Sequence, residues 1–379
     1  MNVVKKAILP TGFVAAGIPA GIKKNGKLDV ALIVSQSPAL AAVVSTSNTM
    51  QAAPVILNKA HLKKSSAFYA IIANSGNANA FTGKAGLKDA DTMATEVGFA
   101  LSIKKESVLV ASTGIISKRM PITRIKNIVP QLVLALSRQG IAQAKQAIMT
   151  TDKFAKEITV SFKVGTKTVT VCGIAKGAGM ISPKMATMLA FITTDANISK
   201  HALDRALHEA VAPTFNSMTV DGCMSTNDTV IVLANRRAGN SQIDGGAGFK
   251  KFVEALKIVC MELAKMIVRD GEGSTKLIRI TVMQAKHHEE AKLVAMAVAN
   301  YNLFKIAMFA SSPNMYGRIV AAVGSTGVPV REEELKIKYS PLQKNEVDIT
   351  VRLGRGKARA VVYTSDLSHE YVKINAEYN

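Results

Sequence analysis

Residues 158–172 constrain the fold more than any other stretch of this chain. Ile158, Val160, Phe162 and Val164 fall on one face at a period of two, Gly165-Thr-Lys supplies a turn, and Val169 and Val171 resume the alternation. This is a β-hairpin, because successive strand side chains point to opposite faces. A loop rich in Gly and Pro follows from Gly173 to Met185 and leads into a second apolar strand, Met188 to Thr193. Adjacent antiparallel strands at the centre of the chain argue against a doubly wound parallel sheet.

The remaining runs fill in a layered protein. Residues 29–35 and 67–73 read as short buried strands, with Asn74-Ser-Gly-Asn-Ala-Asn after the second as turn chemistry. Residues 107–112 read as another strand, ending at Thr113-Gly114, and Pro121 suits the first turn of a helix. Ser199 is a candidate N-cap for a helix from Lys200 to about Ala212, and Thr229–Ala234 reads as a strand. Phe252, Val253, Leu256, Val259, Leu263 and Ile267 mark a helix over 249–268. A strand over Leu277–Met283 and one long apolar helix over Glu289–Ala310 come next, and residues 346–353 and 357–364 pair as a late hairpin. The expected class is α/β in the α+β layered sense, with mixed sheets sandwiched by helices.

Composition narrows function. Three cysteines, Cys172, Cys223 and Cys260, stand far apart, which fits neither a zinc site nor a disulfide framework and points to three buried thiols in a reducing cytoplasm. No apolar run reaches the roughly 18 residues of a membrane helix. Lys5 and Lys6 precede an apolar stretch from Ala7 to Ile22, but Pro10, Gly12, Gly17, Pro19 and Gly21 interrupt it, so turns are expected there rather than a signal peptide. The net charge of +21 would attract anions, yet Trp is absent, aromatics are 5%, and Lys and Arg are scattered, so a nucleic-acid partner is not expected. Acidic small molecules gain from the same field.

Chemistry concentrates in Lys176-Gly-Ala-Gly-Met-Ile-Ser-Pro-Lys-Met-Ala-Thr-Met-Leu-Ala, where a bendable loop meets an apolar strand at a single Thr. A sharp bend can present the Ala186 carbonyl to the Thr187 hydroxyl. Attack gives an ester by acyl shift, and water then splits the chain. The freed α-amine, with a pKa near 8, serves as base for its own hydroxyl. Thr also begins strands often, so spacing alone leaves both readings open.

A resemblance makes the motif specific. Ala15-Ala-Gly-Ile-Pro-Ala-Gly-Ile-Lys-Lys, Ile72-Ala-Asn-Ser-Gly-Asn-Ala-Asn-Ala, Ser112-Thr-Gly-Ile-Ile, Ile148-Met-Thr-Thr-Asp, Ser225-Thr-Asn-Asp-Thr, Gly317-Arg-Ile-Val-Ala-Ala-Val-Gly and Tyr371-Val-Lys-Ile-Asn-Ala, with the Lys176 loop, resemble the ornithine acetyltransferase (glutamate N-acetyltransferase) family of arginine biosynthesis over nearly the whole chain. The resemblance implies cleavage between Ala186 and Thr187, giving an α chain of residues 1–186 and a β chain of residues 187–379, assembled as a cytoplasmic α2β2 heterotetramer. It implies that Thr187 takes acetyl from N-acetylornithine and passes it to glutamate by a ping-pong reaction. No cofactor is implied, and some members accept acetyl-CoA as donor.

Site residues follow in the same way. Thr113 and Gly114 end a strand before a turn, where hydroxyl and amide can donate to an oxyanion, and they resemble the family's oxyanion stabilisers. Lys176 can bind a carboxylate as a point charge; the bland alternative is one more surface lysine. Glu272, between Gly271 and Gly273, reads as exposed in a tight loop and suits the amine of ornithine. Thr150 matches a substrate-contacting Thr, with Thr151 as the other register, and Asn375 matches a residue that holds substrate. The sequence departs from the family at Ser312-Pro-Asn-Met-Tyr-Gly-Arg318, at Met224, and after Asn375, where Ala-Glu-Tyr-Asn379 lacks a further Thr. His287-His288-Glu289-Glu290 reads as a solvated helix start. Two rivals stand beside the acetyltransferase: a related self-cleaving aminopeptidase with water as acceptor, and a non-catalytic basic protein that binds nucleic acid salt-sensitively and is never cut.

Overall fold

The computed structural model describes residues 1–24, 26–182 and 188–377. Nine strands form the larger sheet: β1 (Asn2–Val4), β2 (Phe13–Ile18), β3 (Val30–Ser45), β4 (Phe68–Asn77), β5 (Val108–Ile115), β6 (Lys156–Val164), β7 (Lys167–Lys176), β8 (Leu189–Thr194) and, after the short β9 (Met218–Thr219), β10 (Thr229–Ala234). Their order is β1-β6-β7-β8-β10-β3-β4-β5, with β2 against β3. The smaller sheet runs β12 (Lys336–Tyr339), β13 (Glu346–Arg352), β11 (Leu277–Ala285), β14 (Ala358–Ser365), β9.

The long strand β3 makes the larger sheet fold over. Its first residues pair with β2 and β4, the register breaks between Val34 and Ala39, and Leu40–Ser45 pair with β10. The two parts of the sheet thereby face each other. Ile71, Leu109 and Ile33 from one part share a core with Phe191, Leu189, Ile231 and Leu233 from the other. The alternate residues point outward. Ile72 and Val110 meet α2 (Gly83–Leu101) and α3 (Ile122–Leu134), with α1 (Ala53–Lys64) packed beside β5 and α4 (Ile141–Ala147) against β2. Ile192, Val230 and Val232 meet α5 (Lys200–Val211) and α6 (Gly246–Arg269). The result is four layers, helix, sheet, sheet, helix, within the expected mixed α/β class. Burial on both faces explains why β8 and β10 are continuous apolar runs rather than alternating ones. Each fully buried Leu, Ile or Phe there contributes roughly 1.5–3 kcal/mol.

Several elements match the sequence reading, among them the 158–172 hairpin, the strand at Thr229–Ala234 and the Ser199 cap, whose side chain accepts from the Ala202 N–H at 3.3 Å. Others need correction. Residues 346–353 and 357–364 do not pair with each other: β11 lies between them, parallel to β13 and antiparallel to β14. Insertion of the longest of the three strands pairs both of its edges, which a local hairpin would leave half empty. The expected helix over 289–310 is broken at Tyr301, which is extended at φ −76° and ψ 105°, giving α7 (His288–Asn300) and α8 (Asn302–Phe309) before α9 (Met315–Gly324). The break turns Lys305 inward, where Nζ donates to Thr364 Oγ1 at 3.0 Å and to the Ser365 carbonyl. The segment after Ala73 remains strand to Asn77, and the segment after Cys172 remains strand to Lys176. Cys172 and Cys260 are buried, but Cys223 is exposed. His287 caps α7 by accepting from the Glu290 N–H, and no metal-binding cluster occurs among the described residues. No helix among them is long and apolar enough to cross a membrane.

Candidate active site

A cavity of about 290 Å³ opens where β5 and β7 end and where the chain approaches β10. Thr113 and Gly114 come from β5, Lys176 is the last residue of β7, and Ser225 and Asn227 precede β10. Thr150 and Thr151 follow α4, Glu272 lies between α6 and β11, and Asn375 is on α10 (His369–Glu377). All six described site residues expected from the sequence thus meet at one cavity. Ala186 and Thr187 lie outside the described residues.

Lys176 is no surface lysine. It is 2% exposed, and its Nζ donates to Thr150 Oγ1 at 2.8 Å and to Thr113 Oγ1 at 3.2 Å. An ammonium has no lone pair to offer. Both hydroxyls must therefore accept from Lys176 and turn their own protons elsewhere, which makes them donors toward a ligand in the cavity. Burial pushes the Lys176 ammonium down from the ordinary lysine range, and Asp152 chiefly opposes it. Gly114 adds a backbone amide. Its φ is +134°, and a Cβ there would overlap the Gly76–Asn77 peptide on β4, so the position demands glycine.

Glu272 is buried at 9% exposure, contrary to the exposed loop position read from the sequence. The flanking glycines free the loop, but neighbouring elements fold over it. Thr151 Oγ1 donates to Oε1 at 2.7 Å and Asn375 Nδ2 to Oε2 at 2.8 Å. Both threonines therefore serve, Thr150 toward Lys176 and Thr151 toward Glu272. Helix α10 is held by Ser368 Oγ donating to the Gly273 carbonyl at 2.6 Å. A Cβ at Gly179 would overlap the Glu272 carboxyl. Gly179→Ala is accordingly expected to displace Glu272 and raise KM for an amine-bearing substrate about tenfold or more, since hydrogen bonds to a charged group contribute roughly 1.5–3 kcal/mol each. Steady-state kinetics check this, and an unchanged KM would remove Glu272 from substrate binding.

Sequence reasoning missed the charged groups behind the cavity. Lys156 is fully buried and pairs with Asp152 at 2.6 Å and Asp270 at 2.5 Å. Breaking such a buried pair costs about 3–5 kcal/mol. Burial alone would favour neutral Asp152, but Lys176 and Lys156 outweigh it and hold its carboxyl far below the usual carboxylate range. In the sequence Asp228 stands out only as one residue of Ser225-Thr-Asn-Asp-Thr229. It is buried, which pushes its carboxyl well above the ordinary value, and Oδ1 accepts from the N–H of Met188, the residue that follows Thr187 in sequence. Among the sequence departures, residues 312–318 lie around the start of α9 and none lines the cavity, whereas Met224 is exposed beside Ser225.

An ammonium, two polarised hydroxyls and a buried carboxylate around one small cavity can hold a ligand that carries both charges and can stabilise an oxyanion. The pattern of the ArgJ family matches residues 14–379, and the chain belongs to that family. It is similar to the arginine biosynthesis bifunctional protein ArgJ of Caldanaerobacter subterraneus subsp. tengcongensis, 44% identical over 98% of each chain. It is also similar to the glutamate N-acetyltransferase of Methanocaldococcus jannaschii, 44% identical over 97% of each chain. A solved ornithine acetyltransferase from Mycobacterium tuberculosis, complexed with ornithine, is 37% identical over 48% of this chain and 97% of its own, with a TM-score of 0.45.

Proposed function

We propose that this protein transfers acetyl from N2-acetyl-L-ornithine to L-glutamate through an acetyl-Thr187 ester, after cutting itself between Ala186 and Thr187. Family membership over nearly the whole chain supports the reading. The observation that carries it is the Lys176 ammonium seated against the Thr113 and Thr150 hydroxyls, across the cavity's lining from buried Glu272. An amino acid that carries a carboxylate at one end and an ammonium at the other matches that pair of charges.

Thr187 Oγ attacks the acetyl carbonyl of N-acetylornithine while the Thr187 amine takes the hydroxyl proton. The oxyanion is met by the Thr113 hydroxyl and the Gly114 amide. Collapse breaks the C–N bond, and the proton held on the Thr187 amine passes to the departing ornithine nitrogen. Glutamate then enters, its amine attacks the ester, and the same steps run in reverse to regenerate the Thr187 hydroxyl. Lys176, with Thr150, holds the α-carboxylate common to both amino acids, Glu272 the ornithine side-chain ammonium, and Asn375 the far end of glutamate. The two products of cleavage, residues 1–186 and 187–379, assemble in this reading as an α2β2 cytoplasmic enzyme, and offering acetyl-CoA in place of N-acetylornithine tests the donor that some family members accept.

The test is an intact mass of the denatured protein followed by an acyl-transfer assay. Two pieces of 186 and 193 residues and glutamate-dependent release of ornithine are expected. Ornithine release at the same rate without glutamate would instead make the protein a hydrolase of the self-cleaving aminopeptidase kind. A single uncut chain would sink the Thr187 mechanism.

A further inference from the structure

Asp152 touches three segments at once. Its Oδ2 accepts from the Thr150 N–H at 2.8 Å, and its Oδ1 accepts from the Gly177 N–H at 2.7 Å and from Lys156 Nζ at 2.6 Å. Thr150 and Lys176, the neighbour of Gly177, are the two residues whose side chains meet in the cavity. Lys156 is in turn bound to Asp270, whose carboxylate also takes the Lys153 N–H and which ends α6 two residues before Glu272. The side chains of Asp152 and Lys156 are wholly buried.

We infer that Asp152 is a positioning residue of the transfer site: it fixes Thr150 and the Lys176–Gly177 step with one carboxylate and supplies the counter-charge that keeps the Lys176 ammonium protonated in a buried place. The inference rests on the acyl-transfer reading above. It goes beyond that reading because Asp152 acts through its neighbours and has no assigned contact with substrate.

Charge and geometry point the same way. The Lys176 ammonium is faced by the carboxyls of Asp152, Glu272 and Asp228, and by the ammonium of Lys156, with Lys23 also within electrostatic reach. Asp228 is driven toward its neutral form by burial. Without the Asp152 charge, Lys156 keeps Asp270 but Lys176 loses the first of the carboxylates that favour its charged form, and a buried lysine so placed releases its proton at lower pH. Asparagine has the shape of Asp152 but must aim an NH2 at groups that are themselves donors, so Thr150, Gly177 or Lys156 loses its acceptor. Asp270 tests the alternative of simple scaffolding. It holds the same Lys156 but touches neither Thr150 nor Gly177.

The experiment compares the pH profile of kcat/KM for acetyl transfer in the wild type, Asp152→Asn and Asp270→Asn. Because Lys176 acts protonated, activity falls as pH rises through its pKa. Asp152→Asn is expected to move that basic limb down by about one pH unit, with kcat/KM at the optimum reduced at least about tenfold. Asp270→Asn is expected to leave the limb in place. Equal losses in both variants with an unmoved limb would overturn the inference and leave the cluster as packing alone. The 13Cε resonance of Lys176, assigned with Lys176→Met in lysine-labelled protein, reads the same protonation without turnover. A wild type that transfers no acetyl would therefore sink the functional reading while this titration still decides the role of Asp152. Should Asp152→Asn fail to fold, the double variant D152N/K156M removes both charges of the pair; the Lys176 midpoint is still expected to fall, by less, and a fixed midpoint overturns the inference.

Discussion

Thr187→Ala is expected to yield one uncut chain of 379 residues and to lower acetyl transfer by at least about 10⁴-fold, the scale on which removing a covalent nucleophile acts. Two functions disappear together. Without the hydroxyl there is no acyl shift to break the Ala186–Thr187 bond, and without that break there is neither a free amine to act as base nor an oxygen to carry acetyl. Mass spectrometry reads the first loss and ornithine release reads the second. Thr187→Ser separates them, since it keeps the hydroxyl and is expected to cleave and transfer at reduced rates. If Thr187→Ala were cut normally, cleavage would have another origin and the ester mechanism would fall with it.

Lys176→Met should lower kcat/KM by about 10³-fold, with both KM and kcat affected. KM rises because the substrate carboxylate loses its buried cation. The kcat effect has a different cause. Lys176 occupies the acceptor lone pairs of Thr113 and Thr150 and so directs their protons into the cavity. Methionine fills similar space but accepts weakly and donates nothing, which frees both hydroxyls to turn away from the oxyanion. The fold should persist, because an unfavourably buried ammonium is removed and Asp152 still has Lys156. Steady-state kinetics beside thermal unfolding distinguish the cases. A rise in KM alone would reduce Lys176 to a carboxylate anchor and leave the Thr113 hydroxyl oriented by some other group.

The parts of this molecule legible in the sequence are those with a local cause. Alternation from Ile158 to Val171 gives the hairpin, apolar runs give β8 and β10, and Ser199 gives a helix start, since each depends on a few neighbouring residues. The cavity residues emerged through resemblance, because Thr113, Lys176 and Glu272 are ordinary residues until chain segments far apart in sequence meet. Lys156 and Asp270 lie 114 positions apart, and no periodicity announces their pair. The burial of Glu272 has the same kind of cause: glycines on either side predict a free loop, and the approach of Thr151, Gly179 and Asn375 from distant segments covers it. Insertion of β11 between β13 and β14 likewise depends on the sheet as a whole rather than on the Gly-rich turn between them.

The order of strands in the larger sheet bears on how the enzyme is made. Strands β8 and β10 lie side by side, with β7 hydrogen-bonded to the first and β3 to the second. A cut before Thr187 would assign the inner two to one product and the outer two to the other, leaving each product with half of an interdigitated ladder. The two clusters around the central sheet draw residues from both pieces, so the pieces cannot drift apart without opening the central layers. Unfolding of the cut protein then becomes dissociation of two pieces, and its midpoint acquires a steeper dependence on protein concentration than that of the uncut Thr187→Ala chain. Refolding from separated pieces requires two strands to slot between two others in a bimolecular step, whereas a single covalent chain performs the same insertion at a high effective concentration. If the chain is cut before Thr187, the linking peptide becomes an assembly tether, needed while the layers come together and dispensable once they have closed, and the two-chain molecule would be held in place by the barrier to unfolding.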